Sequence, residues 1–193
     1  MVTDKPYGLQ IYQLKLELLE IKPSIWRRLL VQGGITLAQL HEVIQTAMGW
    51  TNSHLHEFVV GAHSYSDPEF EIEGAKSEYR YRLARLAPRV SNTIAYIYDF
   101  GDGWEHQIRV ENVIEDDKRY PGAPVCLAGA RSCPPEDCGG PGGYESFLQV
   151  IGNKNHKEHK QLLQWVGGSF DPDYLDLDEV NAGLRELDLR PRW

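Results

Sequence analysis

A chain of 193 residues, 41 % hydrophobic and 25 % charged, is long enough to bury a real core as one domain and ordinary in composition for a globular protein. Its formal net charge of −8 argues against a protein that grips nucleic acid through a basic face; the strongest basic candidates are Arg27, Arg28 and the series Arg80, Arg82, Arg85, Arg89. No apolar run is long enough to span a membrane, MVTDKPYGLQ lacks the pattern of a signal peptide, and three cysteines cannot complete a disulfide framework, so a cytoplasmic protein with no membrane partner is expected.

Residues 9–21, LQIYQLKLELLEI, alternate apolar with polar for part of their length and read as a strand. Pro23 interrupts it, because proline cannot donate to a ladder. Residues 24–31, SIWRRLLV, read as a second strand antiparallel to the first, ended by Gly33 and Gly34. The clearest helix follows. Thr36 and Gln39 form a capping box, Leu37, Leu40, Val43, Ile44, Ala47 and Met48 share one face, and Gly49 is the stop. Strand, strand, helix is the order of a β-grasp opening.

Residues 54–60, HLHEFVV, alternate again and predict a strand. Residues 67–92 are polar and carry no clear periodicity. TIAYIYDF (93–100) and WEHQIRVENVI (104–114) are rich in β-branched and aromatic residues and predict two more strands. From 120 to 143 proline and glycine dominate, so no regular element is expected there. Cys126, Leu127, Cys133 and Cys138 are apolar enough to pack, which makes this an ordered loop. Helices are expected at 144–151, at 156–166 through Leu162, Leu163 and Val166, and at 177–187 behind the capping pair Asp176 and Glu179. The class is α+β: a mixed, mainly antiparallel sheet with C-terminal helices packed on it.

The stretch YDFGDGWEH (98–106) holds the chemistry-bearing residues. With Asp102–Gly103 as a type I′ turn, Asp99 faces His106 across the hairpin. With Gly101–Asp102 as a type II′ turn, Asp99 faces Trp104 instead. In a strand His54 and His56 point to one face. They offer two imidazoles to a divalent metal such as zinc, with His106 as a third ligand. Asp99 then serves as a ligand or as the group that orients one. Glu136 and Asp137, folding over from the Pro/Gly loop, are candidates for the general base on a metal-bound water. The plainer readings are a turn residue at Asp102, a structural Asp99–His106 pair, and half-exposed sheet histidines.

Two other patterns fail. Cys126, Cys133 and Cys138 run C-x6-C-x4-C, which is not the paired spacing of structural zinc sites, so they read as packing residues. Residues 170–180, FDPDYLDLDEV, miss a calcium loop because Leu175 takes the fifth position and no glycine takes the sixth.

PSIWRR (23–28), LHEVIQTAMGW (40–50), HLHEF (54–58), YDFGDGWEH (98–106) and CLAGARSCPPEDCGGPGGY (126–144) together resemble the plasmid pRiA4b ORF-3-like family over nearly the whole chain. The resemblance implies an α+β fold in a single domain, 1–193, with a sheet-rich part at about 7–116, the ordered loop 120–143 and a helical part at 144–190. It also implies a setting on plasmids or near insertion elements, and some members carry a resolvase-like label. It supplies no established activity. A serine resolvase needs a nucleophilic serine backed by arginines and a basic tail, whereas this chain ends in an acidic capped helix followed by RPRW. Three functional readings follow. One is a domain linked to mobile elements that binds a protein or small-molecule partner. Another is a metal-dependent hydrolase using the His/Asp cluster. The last is a DNA-associated accessory factor.

Overall fold

A computed structural model describes residues 10–115 and 120–189; residues 7–9 and 116 of the expected sheet-rich part and the tail RPRW lie outside it. The strands are β1 Gln10–Leu18, β2 Trp26–Gln32, β3 His56–Val60, β4 His63–Ser66, β5 Lys76–Ser77, β6 Thr93–Tyr98, β7 Trp104–Glu115 and β8 Val125–Ala130. The helices are α1 Leu37–Met48, α2 Leu83–Leu86, α3 Gly140–Gly152, α4 His159–Trp165 and α5 Leu177–Glu186. The strands form one sheet in the order β5-β4-β3-β6-β7-β1-β2-β8, antiparallel at every pairing except β4–β5. The fold is therefore mixed α+β with a mostly antiparallel sheet. β1 and β2 pair as expected, and β6 and β7 lie between that hairpin and β3.

The two faces of β1 explain the layering. Tyr12, Leu14, Leu16 and Leu18 are fully buried, each burial contributing about 1.5–3 kcal/mol for an aliphatic side chain. On the other face Lys15 pairs with Glu17, and Gln13 and Arg28 both donate to Glu111. A bulge opposite Gln13 and Leu14 makes Glu111 the extra residue of β7 and turns it to that polar face. α1 covers the apolar face through Leu37, Leu40, Val43, Ile44, Ala47 and Met48. Both hydrogen bonds of the Thr36–Gln39 capping box form, and Gly49 closes the helix in the left-handed region.

Arg27 is fully buried and spends its guanidinium on the carbonyls of Ala47, Trp26 and Ala130. It thereby places a cation at the C-terminal end of α1, where the helix dipole favours it. With Arg27 inside and Arg28 bound to Glu111, that half of the candidate basic face is not available to phosphates. No helix among the described residues is long and apolar enough to cross a membrane.

Several boundaries differ from the sequence reading. β8 lies inside 120–143, where no regular element was expected, because VCLAGA finds the free edge of β2. Gly129 allows that pairing: a Cβ there would come 2.7 Å from the Trp26 carbonyl oxygen. Leu127 is exposed, not packed. α3 begins at Gly140, helped by Pro141 in its first turn. The unassigned stretch 67–92 holds two 3-10 turns, Pro68–Phe70 and Glu78–Arg80, with β5 and α2. On the outer side of β8, the Asn181 side chain from α5 accepts from the Cys126 amide at 2.7 Å and donates to the Cys126 carbonyl at 3.0 Å.

Candidate functional site

Three loops meet at one end of the sheet: residues 51–55 between α1 and β3, residues 99–103 between β6 and β7, and residues 131–139 before α3. The β6–β7 connection is neither two-residue turn. Tyr98 pairs with Trp104 and Tyr96 with His106, so five residues form the loop and Asp99 does not face His106. Asp99 itself forces this. It sits at φ +56° and its Oδ1 accepts from the amides of Gly101 at 2.9 Å and Asp102 at 3.3 Å, while its carbonyl accepts from Gly103 at 2.6 Å.

The loops are tied together by specific bonds. The Asp99 amide donates to the Leu55 carbonyl, and the Trp50 indole donates to the Pro134 carbonyl. Tyr98 Oη accepts from the Ser53 amide and donates to Glu136 Oε1, both at 3.0 Å. Glu136 also accepts from the Thr51 amide at 2.8 Å and from Thr51 Oγ1 at 3.1 Å. Asp102 Oδ2 accepts from the Gly139 amide at 3.1 Å, so this residue is a strut as well as a turn residue.

His54 lies at the centre. It precedes β3 instead of belonging to it, so it does not share a face with His56. Its Nδ1 is 3.7 Å from Asp99 Oδ2, and its Nε2 is 3.3 Å from Asp137 Oδ1 and 3.7 Å from Glu136 Oε2. Nε2 is shut off from solvent and makes no hydrogen bond among the described residues. Among the described residues, His54, Asp99 and Asp137 offer donor atoms that all lie within 4.8 Å of one another.

His56 and His106 are not brought to this cluster. His56 turns inward, stacks on His41 with centroids 3.5 Å apart, and sets Nε2 2.9 Å from Glu78 Oε2. His106 is buried beside Tyr96, its Nδ1 donating to the carbonyls of Trp104 at 3.0 Å and Tyr96 at 3.3 Å. Burial pushes all three rings, His41, His56 and His106, down to about 4, and pushes the Glu78 carboxyl up to about 7. All three cysteines are free; burial pushes Cys133 and Cys138 up to about 12, which keeps them protonated at neutral pH.

His41 and Glu78 were not singled out from the sequence. His41 had a usable signal, since it falls on the buried face of α1 among Leu37, Leu40 and Ile44. Glu78 had none, because the stretch around it has no periodicity.

Comparison with known proteins places this architecture. A solved protein, "Protein of Unknown Function MM3350" from Methanosarcina mazei Go1, superposes with a TM-score of 0.80 at 36 % identity, covering 88 % of this chain and 97 % of that one. "Uncharacterized protein y4hQ" of Sinorhizobium fredii (strain NBRC 101917 / NGR234) is 35 % identical over 194 residues, 95 % of this chain and 94 % of that protein. The family model of the plasmid pRiA4b ORF-3-like protein matches residues 10–179, a span holding all eight strands and every residue of the His54 cluster. On this match the chain belongs to the plasmid pRiA4b ORF-3-like family.

Proposed function

We propose that this chain is a ligand-binding domain whose ligand at the loop junction is a divalent cation, held by His54, Asp99 and Asp137. The observation that carries the reading is the His54 ring: its Nε2 is enclosed and without a hydrogen bond among the described residues, with Asp137 Oδ1 at 3.3 Å, and Asp99 Oδ2 stands 3.7 Å from its Nδ1. One imidazole and two carboxylates suit zinc or manganese. Bonds of about 2.0–2.2 Å hold ligand atoms within about 4.4 Å of one another, so only a small contraction of the present cluster is required.

A second reading, hydrolysis at that cation, is favoured by the way Glu136 is held. Three donors fix its carboxylate beside the cluster without making it one of the three convergent groups. A carboxylate so placed is a base for a metal-bound water.

The test is metal content of the purified, untagged chain by plasma mass spectrometry, with zinc and manganese titrations by calorimetry. About one equivalent is expected, lost in His54→Ala and in Asp99→Asn. Asparagine keeps the Oδ1 acceptor and tolerates the left-handed backbone, so the loop survives that change. A folded protein that takes up neither metal would make the cluster an ion-pair node only. For the second reading, Glu136→Gln should keep the cation and abolish turnover in an ester and phosphoester screen.

A further inference from the structure

Away from that cluster, α1, the stretch 67–82 and Leu189 enclose a cavity of about 270 Å³. None of His54, Asp99 and Asp137 lines it. Four acids line it, Glu42, Asp67, Glu78 and Asp188, along with Phe70 and Tyr79; the Asp67 carboxylate already accepts from Tyr79 Oη at 2.6 Å and from the Glu69 amide at 2.9 Å. Arg82, on the same wall, donates to the Gly34 carbonyl.

The inner wall is the stacked pair His41 and His56, and the two rings are not equivalent. His41 uses both nitrogens: Nε2 donates to Asn52 Oδ1 at 2.7 Å, and Nδ1 accepts from Tyr96 Oη at 2.8 Å. Gln45 donates to the same Tyr96 oxygen, which leaves the tyrosine proton for His41. His56 is only 3 % exposed and uses one nitrogen: Nε2 meets Glu78, while Nδ1 has no hydrogen-bond partner among the described residues. With Glu78 ionised, its oxygen takes the Nε2 proton and Nδ1 presents a lone pair. Acidic groups thus outnumber the one guanidinium on the lining, four carboxyls against Arg82, and His56 Nδ1 adds a buried acceptor without a partner among the described residues. A ligand that satisfies them must bring donors and positive charge.

We propose that this cavity binds a small organic cation with a primary amine head. The Glu42 and Glu78 carboxylates and His56 Nδ1 accept the three hydrogens of the ammonium group, Asp67 and Asp188 add negative charge to the lining, and Phe70 and Tyr79 pack against the apolar part of the ligand. Aromatic faces and carboxylates attract the same charge, so the two parts of the lining agree. Burial of Glu78 raises its carboxyl to about 7, and an ammonium group beside it supplies the counter-charge that favours its ionised form.

The experiment is a nuclear magnetic resonance titration of the full chain with benzylamine and n-butylamine, in buffer containing a chelator. Benzyl alcohol and n-butanol are the neutral controls. Saturable one-to-one binding of an amine is expected, with shifts at Phe70, Tyr79 and the His56 ring, and about tenfold weaker binding of the matching alcohol. Glu78→Gln and Glu42→Gln should each weaken the amine by about tenfold. Glu42 is partly exposed on α1, so its variant folds even if the buried Glu78→Gln does not. No saturable binding of either amine, equal affinity for amine and alcohol, shifts confined to His54 and Asp137, or unchanged affinity in Glu42→Gln would each overturn the proposal.

Discussion

His41 and His56 lie ring on ring, 7° from parallel, so a charge on either ring opposes a charge on the other. Both are pushed down to about 4, burial being the larger cause, and His106 is pushed to the same region by burial alone. A histidine whose folded value lies below its unfolded value of about 6.5 takes its proton first in the unfolded chain. Its contribution to stability is complete above about 6.5 and is lost as pH falls toward 4. Glu78 acts in the opposite sense: raised to about 7, its carboxyl keeps a proton in the folded chain that the unfolded chain releases above about 4.5. Three histidines outweigh one carboxyl. The urea midpoint should rise from pH 4.5 to 6.5, then level toward pH 7. Glu17 and Glu111, lowered by Lys15 and Arg28, add loss in the same direction below about pH 4.5. A midpoint unchanged from 4.5 to 6.5 would mean that these rings titrate as they do in the unfolded chain.

Thr36→Ala should cost about 1 kcal/mol, read as a lower urea midpoint at unchanged slope. The substitution removes the oxygen that accepts from the Gln39 amide and leaves the reciprocal bond, donated by the Thr36 amide to Gln39 Oε1, without its mate. Gln39→Ala should cost less, because it removes the acceptor of the Thr36 amide but keeps the Thr36 oxygen that caps the Gln39 amide. An equal or larger loss for Gln39→Ala would shift the weight to its contact with the Leu189 carbonyl.

Arg27→Lys should destabilise by about 2 kcal/mol or more, since hydrogen bonds to a charged group contribute about 1.5–3 kcal/mol. A planar guanidinium reaches three carbonyls in different directions, and an ammonium group at the end of a lysine stem cannot reproduce that spread. Thermal unfolding of the two proteins side by side decides it. Indistinguishable transitions would mean that the ammonium satisfies the same cage.

Gly140→Ala should abolish cation uptake without removing a proposed ligand. Gly140 has φ +68°, and a Cβ there would run into the Asp102 carbonyl oxygen. The β6–β7 loop and the start of α3 would then part, separating Asp99 from Asp137. Gly142→Ala, where a Cβ meets nothing within 4 Å, is the matched control and should keep the cation. Loss in both, or in neither, would disconnect the loop junction from the cation.

α1 was legible because three independent signals agree there: a capping box, an apolar stripe at helical spacing and a terminal glycine. The β6–β7 strands were legible, but their register was not. Asp-Gly suggests a two-residue turn, whereas the Asp99 carboxylate captures the amides of Gly101 and Asp102, and Asp102 is drawn toward Gly139. β8 was hidden because its strand character comes from the β2 edge, a partner nearly a hundred residues away, and not from its own Pro/Gly-flanked sequence. His54 and His56 suggested a shared strand face, and only the start of β3 at His56 separates them. Glu136 and Asp137 reach His54 through loop packing that no local periodicity encodes.

Among the described residues β8 is the last strand on its side of the sheet, and an outer strand with open amides and carbonyls is a template for another copy of the chain. Asn181 takes both backbone groups of Cys126 with one side-chain amide and so behaves as a strand one residue long. The opposite border is blunted differently, by making β5 only two residues long. Resistance to edge-to-edge aggregation on the β8 side therefore depends on α5 being docked. Fraying of that C-terminal helix would expose a growth point for intermolecular β-pairing before the core itself began to unfold.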